Sequence, residues 1–197
     1  MAYATVTQLQ IYAGITDDRH NDLLALLIER AVATIDERIG FSFEAAADSD
    51  RNLDAADYPS GAVFGRTLYF GTWCAAITTV TNGDAVEITS DYYVTQPRND
   101  GPYYAIKLLS SSGYTWEDDT NGDTEDAITI TGRWAYSTTA PADIEHATLR
   151  LALWYYRQRD SSTDLDRPLL AEGVTIMPSQ IPADVTEILD RYRWRGP

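Results

Sequence analysis

Cysteine, lysine and histidine are nearly missing from this sequence, and each scarcity excludes a kind of protein. A single cysteine, Cys74, permits no intrachain disulfide. That excludes a disulfide-stapled secreted module and fits assembly in a reducing cytoplasm. The two histidines, His20 and His146, have no cysteine, serine or second histidine at ligand or triad spacing, so neither a zinc cluster nor a nucleophile–base pair can be built around them. Neither glycine-rich phosphate pattern is present, Walker or dinucleotide, and there is no Gly-x-Ser-x-Gly elbow. No apolar run approaches the roughly 18 residues of a membrane span. Met1-Ala2-Tyr3-Ala4-Thr5 lacks the basic start and apolar stretch of a signal peptide. Lys107 is the sole lysine, and thirty acidic residues face fifteen basic ones, a net charge of −15. Tight binding of duplex DNA needs Lys and Arg to displace counterions, so this balance argues against it. Two readings of the charge remain: plain solubility, or a wall that repels phosphates and lets DNA pass without adhering.

What is present is an ordinary globular composition, 44% hydrophobic over 197 residues, enough for one domain or one domain with an insertion. The order is helices, strands, helices. Thr7-Gln8-Leu9-Gln10 fits a capping box for a short first helix, which Gly14 ends. Thr16, Asp17 and Asp18 offer caps for a longer helix reaching Ile39. Its stripe is Leu24, Leu27, Ile28, Ala31, Ile35 and Ile39, widened by Leu23, Leu26 and Val32, which predicts more than one packing neighbour. Gly40 stops it. Residues 41–66 have no period and read as a locally packed loop with room for a short strand.

From Thr67 the pattern turns β. Leu68–Phe70, Ala75–Val80, Ala85–Ile88, Asp91–Thr95, Tyr103–Leu108, Tyr114–Glu117 and Ala127–Thr131 are the expected strands. Thr81-Asn82-Gly83-Asp84 is read as a tight hairpin, because Asn-Gly supplies positive φ angles. The last two strands are expected to pair across an acidic loop, and Gly132 to close the β region. Pro141 then sits at a first helical position, followed by a face of Ile144, Ala147, Leu151, Trp154 and Tyr155. A polar linker covers residues 160–180, with a short Val174–Met177 apolar run. Pro182 opens a last helix with Val185, Ile188, Leu189 and Tyr192 on its apolar side.

Three features invite functional readings. In the loop from Glu117 to Asp126, Asp119, Asn121 and Asp123 alternate as in a calcium loop, but the glycine comes too early and no twelfth-position glutamate follows. Asp119, Asp123 and Glu125 have the oxygen ligands to gather a cation; the simpler reading is a solvated hairpin tip of Asp118, Asp119, Asp123, Glu125 and Asp126. Second, Tyr92-Tyr93, Tyr103-Tyr104, Trp116, Trp134 and Tyr136 would suit a stacking platform for sugars or bases. Strand alternation turns half of each tyrosine pair inward, so core and interface packing explains them more economically. Third, Arg191, Tyr192, Arg193, Trp194 and Arg195 form a basic, aromatic end to an acidic chain. They either compensate a helix terminus or serve as a docking peptide, since Trp, Tyr and Arg are the usual anchors of interfaces. Cys74, alone in a β segment, reads as a small buried apolar residue rather than a nucleophile.

Four stretches together resemble the head–tail connector family of tailed phages, also called adaptor or head-completion proteins. The first is the opening pair of helices, with Leu23–Ile28, Ala31, Ile35-Asp36 and Gly40-Phe41-Ser42-Phe43, where Phe41 replaces the arginine of the family's usual Gly-Arg-x-Phe. The second is Ile77-Thr78-Thr79-Val80, Asn82-Gly83-Asp84 and Asp91-Tyr92-Tyr93-Val94. The third runs from Ile128 to Tyr136 and continues through Pro141-Ala142-Asp143-Ile144, Ala147 and Trp154-Tyr155-Tyr156. The fourth is Ile181-Pro182-Ala183-Asp184-Val185 with Leu189 and Tyr192-Arg193. The resemblance implies a structural ring of roughly a dozen copies in the virion neck. That ring would lie beneath a portal protein and above a tail terminator or stopper, with DNA passing through it without tight binding. It implies no catalysis, no cofactor and no bound metal.

The expected fold is therefore α+β: a small helical bundle from the N- and C-terminal helices, with an antiparallel β insertion. The expected division is 1–66, 67–132 and 133–197. Three alternative functions stay open on sequence: another neck component such as a tail terminator, a carbohydrate- or surface-binding module, and a carboxylate-dependent hydrolase.

Overall fold

A computed structural model describes residues 2–57, 59–159, 169–171, 174–176 and 181–193. The chain divides into two compact units, one of residues 1–40 and 140–197 and one of residues 41–139.

The first unit holds helices α1 (Val6–Ala13), α2 (Asn21–Ile39), α3 (Ala142–Arg159) and α4 (Ala183–Asp190). Helix α2 packs along α3, and α3 also meets α1 and α4. The stripe read from sequence supplies the buried side: Leu24, Ile28, Ala31, Val32, Ile35 and Ile39 on α2 face a core completed by Leu9, Ile144, Ala147, Leu151, Val185 and Leu189. Each large side chain buried this way contributes about 1.5–3 kcal/mol, so the stripe is the chief source of stability here. Leu26 falls outside the stripe and is 62% exposed. Gly40 ends α2 at φ 86°, a left-handed turn that a side chain would strain. The capping box forms two residues earlier than expected: Thr5, not Thr7, is the cap, paired reciprocally with Gln8. The Thr-x-x-Gln spacing was legible, but Thr7 already lies inside the helix. Helix α2 begins at Asn21 without a side-chain cap, because Asp17 spends its carboxylate on the Arg19 backbone N–H and guanidinium. Helix α3 starts at Ala142, just after Pro141. Between α3 and α4 two short strands, β8 (Leu169–Ala171) and β9 (Val174–Ile176), pair antiparallel where only an apolar run had been legible.

The second unit is two antiparallel sheets. One has the order β1 (Ser49–Leu53), β7 (Ile128–Arg133), β4 (Ala76–Thr81). The other has the order β2 (Val63–Phe64), β3 (Thr67–Cys74), β6 (Tyr103–Leu108), β5 (Tyr93–Gln96). Their inner faces share one core, in which Leu68, Phe70, Ile106 and Leu108 from one sheet meet Val80, Ile128 and Ile130 from the other. Residues 41–66 group with these sheets and supply β1 and β2. Strand β1 is invisible to hydrophobic periodicity because its sequence, Ser-Asp-Arg-Asn-Leu, is almost wholly exposed. Backbone pairing to β7 holds it, reinforced by cross-strand bonds from Thr131 to Asp50 (2.6 Å) and Thr129 to Asn52 (3.1 Å).

Several β expectations need correcting. Ala85–Ile88 touches β4 through one bridge, Thr81 to Glu87, and is not a strand. Asp91 and Tyr92 belong to a short 3-10 turn before β5. Tyr114–Glu117 is not a strand and does not pair with β7, which lies between β1 and β4. Gly132 sits inside β7, opposite Ser49 and Ile77, with Ala76 O and Cys74 Sγ so near that a Cβ would collide. The reason for the irregular 109–117 segment lies in side chains, described next.

Candidate functional site

Two polar residues organise the loop side of the β unit. Arg66 sits just past β2. Its Nε donates to Leu108 O (3.2 Å), and its Nη2 to Leu109 O, Ser112 Oγ and Tyr114 O. Its own carbonyl accepts from the Trp116 indole (3.2 Å). Asn82 is 2% exposed; its side-chain amide donates to Thr115 O (3.0 Å) and accepts from Glu117 N–H (3.1 Å). One side chain thus imitates a strand partner and holds residues 115–117 without a ladder. The Asn-Gly pair therefore does not work through glycine's positive φ. Ala85 takes the left-handed angle at φ 63°. A Cβ on Gly83 would lie 2.1 Å from Glu117 O and 2.3 Å from Asp118 O, so glycine is required for close approach.

The acidic loop is ordered from within. Asp119 accepts backbone N–H bonds from Asn121 (2.7 Å) and Asp123 (2.8 Å) and a side-chain bond from Asn121 (2.9 Å). These donors, the Asp123 N–H first, hold its carboxyl below the ordinary 3.8. A carboxylate filled by N–H donors has little left for a cation. Asp118, Asp123, Glu125 and Asp126 are exposed. Asp126 is tied back by its N–H to Asp54 (2.9 Å). No cluster of three or more His, Cys, Asp or Glu able to hold a metal occurs among the described residues.

The aromatics are mostly spent on packing. The Trp134 indole donates to Ser49 O (2.9 Å), and its ring meets Phe70 edge-on at 5.4 Å. Tyr69, Tyr104, Trp73, Tyr136, Phe41 and Phe43 form a continuous chain of ring contacts with centroids 5.2–6.5 Å apart. Phe41 stacks on Tyr136 within that chain. Tyr92 is the exposed member of its pair and leans on Tyr114 at 5.1 Å. Cys74 is fully buried with its Sγ donating to Ala76 O (3.1 Å), and burial pushes its thiol up to about 11, far from a nucleophile's range.

At the end of α4, Arg191 pairs with Glu187 (3.4 Å) and Arg193 lies 3.7 Å from Asp190, both in solvent. Tyr192 is half-buried, and its hydroxyl donates to Asp143 (2.7 Å) at the start of α3. Trp194 and Arg195 lie outside the described residues. Within the five-residue tail, Tyr192 is thus a strut between two helices. Arg150 and Asp184 make a further exposed ion pair at 2.8 Å, which raises the arginine and lowers the carboxyl. No described helix is long and apolar enough to cross a membrane.

One open cleft of about 540 Å³ runs between β4 and β5, the edge strands of the two sheets, with Ala76, Ile77, Tyr93, Val94 and Tyr103 on its walls and Arg98 at its rim. Periodicity gave no hint of it, because it arises from two sheet edges far apart in sequence.

Comparison with known proteins adds an outside observation. No curated protein matches the chain. Three solved particle structures contain chains of similar fold. The neck of a native gene transfer agent particle with C12 symmetry gives a TM-score of 0.58 at 17% identity, covering 95% of this chain and 87% of that one. The neck of the empty particle with C6 symmetry gives 0.57 at 16%, covering 95% and 88%. The virion of the native particle gives 0.56 at 15%, again covering 95% and 88%. At these identities the likeness is one of fold. Residues 3–62 match the family described as phage gp6-like head-tail connector protein, a span that includes the first of the four stretches of resemblance.

Proposed function

We propose that this chain is a structural head–tail adaptor of a tailed phage or phage-like particle. Copies form a ring beneath the portal, join the DNA-filled head to the tail and surround the DNA channel. The observation that carries this reading is the family match over residues 3–62, a span that holds α1, α2 and β1. The likeness of the whole fold to particle-neck chains supports it. The symmetry of those necks favours roughly a dozen copies related by rotation.

In this reading helices α1–α4 act as a small bundle in the ring wall, and the sheets reach neighbouring copies and the next tail component. The excess of carboxylates, net charge −15, leaves a surface that phosphate does not stick to, as a DNA conduit requires. The role is one of assembly in the neck of the virion, with no reaction to catalyse. The acidic loop serves as wetted surface ordered by Asp119.

The C-terminal Arg191–Arg195 segment is proposed to touch the portal. Arg191 and Arg193 present exposed guanidinium groups there, while Tyr192 braces α4 against α3. The test is co-sedimentation with purified portal rings. The full chain is expected to sediment with portal. A chain ending at Tyr192 keeps the Asp143 bond and is expected to fold but lose most of the binding. Unchanged binding by that chain overturns the docking role, and no binding by the full chain overturns the adaptor reading.

A further inference from the structure

We propose that Phe64 and the cleft between β4 and β5 are the two halves of one contact between successive copies of this chain. This rests on the ring reading above and names the surfaces that close the ring.

Among the described residues of the β unit, Phe64 is the most exposed large apolar side chain, at 66%. It stands at the tip of the β2–β3 hairpin, where it pairs with Thr67. The hairpin backbone beside it is fixed, because Arg66 is bonded to Leu108, Leu109, Ser112 and Tyr114. An aromatic ring held out on a stiff support loses little freedom on docking, which is the character of an interface anchor. The cleft is its complement: concave, walled by Ile77, Tyr93, Val94 and Tyr103, and bordered by β4 and β5, an edge strand of each sheet.

The placement of the two halves fits a ring. Strands β2 and β5 are the opposite edges of one four-stranded sheet. A contact joining two different patches is heterologous: it repeats from copy to copy and closes only by rotation, whereas a patch meeting itself stops at a dimer. Charge agrees. Copies carrying −15 repel one another. The exposed Arg98 rims the cleft, and the exposed Asp57 bridges to Val63 beside Phe64. Neither has an ion-pair partner among the described residues. Seating Phe64 in the next copy's cleft brings Asp57 toward Arg98, placing opposite signs where the copies meet.

The test uses rings assembled on portal and imaged by negative stain. A chain carrying Ser60→Cys, in the turn that leads into β2, and Thr95→Cys, on the cleft wall, keeps Phe64 and Val94 and is treated with a short bismaleimide; the buried Cys74 does not react. A ladder of linked copies is expected, with each single variant remaining a monomer on a denaturing gel. Independently, Asp57→Arg and Arg98→Glu are each expected to cut ring yield at least about tenfold through like-charge contact, and the double swap to restore it. All four changes lie on exposed or half-exposed positions, and unchanged melting curves verify the fold. Rings that form at normal yield in both charge variants, without a ladder, overturn this contact alone. A wild-type chain that forms no ring on portal overturns the ring reading and the contact with it.

Discussion

The helical unit and the β unit are held together in different ways. In the helical unit stability is spread over a stripe of apolar side chains, with ion pairs such as Arg150–Asp184 lying outside in water. Exposed pairs of that kind are worth about 0–1 kcal/mol, so burial dominates. In the β unit the sheets share an apolar core, but a long irregular segment, 109–126, hangs on single polar side chains: Arg66, Asn82 and Asp119. A distributed interaction degrades gradually when one residue changes. A keystone fails locally and completely, because each backbone group it served is left without its partner.

Substitutions can break or sharpen that contrast. The largest effect is expected from Leu151→Ala, which hollows the fully buried core of the helical unit and should cost about 2–5 kcal/mol in a denaturant titration. Arg66→Met comes next, at about 2–3 kcal/mol. It should raise hydrogen exchange across 109–116 far more than in β3 and β6. Uniform loosening of the whole unit would show that Arg66 is not a local keystone. Asn82→Ala removes the bonds to Thr115 and Glu117 and should cost about 1–3 kcal/mol, with loss of amide protection at Glu117 as its signature. The smallest effect concerns acid. Asp119 is lowered by its N–H donors, so its contribution is fully present above the ordinary 3.8 and is lost as pH falls through its folded value. An NMR titration should find Asp119 ionising below the ordinary 3.8, with the Asn121 and Asp123 amides shifting in step. A midpoint at the ordinary value would mean the loop is not ordered by that carboxylate.

The same contrast governs what the sequence reveals. Helices α1–α4 were readable because burial on one side of a helix imposes a period, and Gly14 and Gly40 mark the ends of α1 and α2. Strand β6 was readable for a similar reason, and its bounds at Tyr103 and Leu108 fell where expected. Strand β1 was not, since Ser49–Leu53 buries almost nothing and is placed by its partner β7. The apolar look of Tyr114–Glu117 suggested a strand, yet Asn82 and Arg66 replace the ladder there. Asn82-Gly83 was legible as a turn, but its reason, a side-chain amide reading the 115–117 backbone, depends on residues more than thirty positions away. Of the surfaces considered for a role, the C-terminal arginines and the acidic loop were visible in composition. The cleft between β4 and β5 and the exposed Phe64 required the fold.

In the proposed role the binding energy of this chain goes into joining copies of itself beneath a portal. The most direct measurement is an electron cryo-microscopy map of the neck of an assembled particle containing the chain. The account predicts a closed ring of this fold between portal and tail, with α1–α4 in its wall and DNA running through its centre. Density for the chain elsewhere in the particle, or a single unringed copy at the neck, would contradict it.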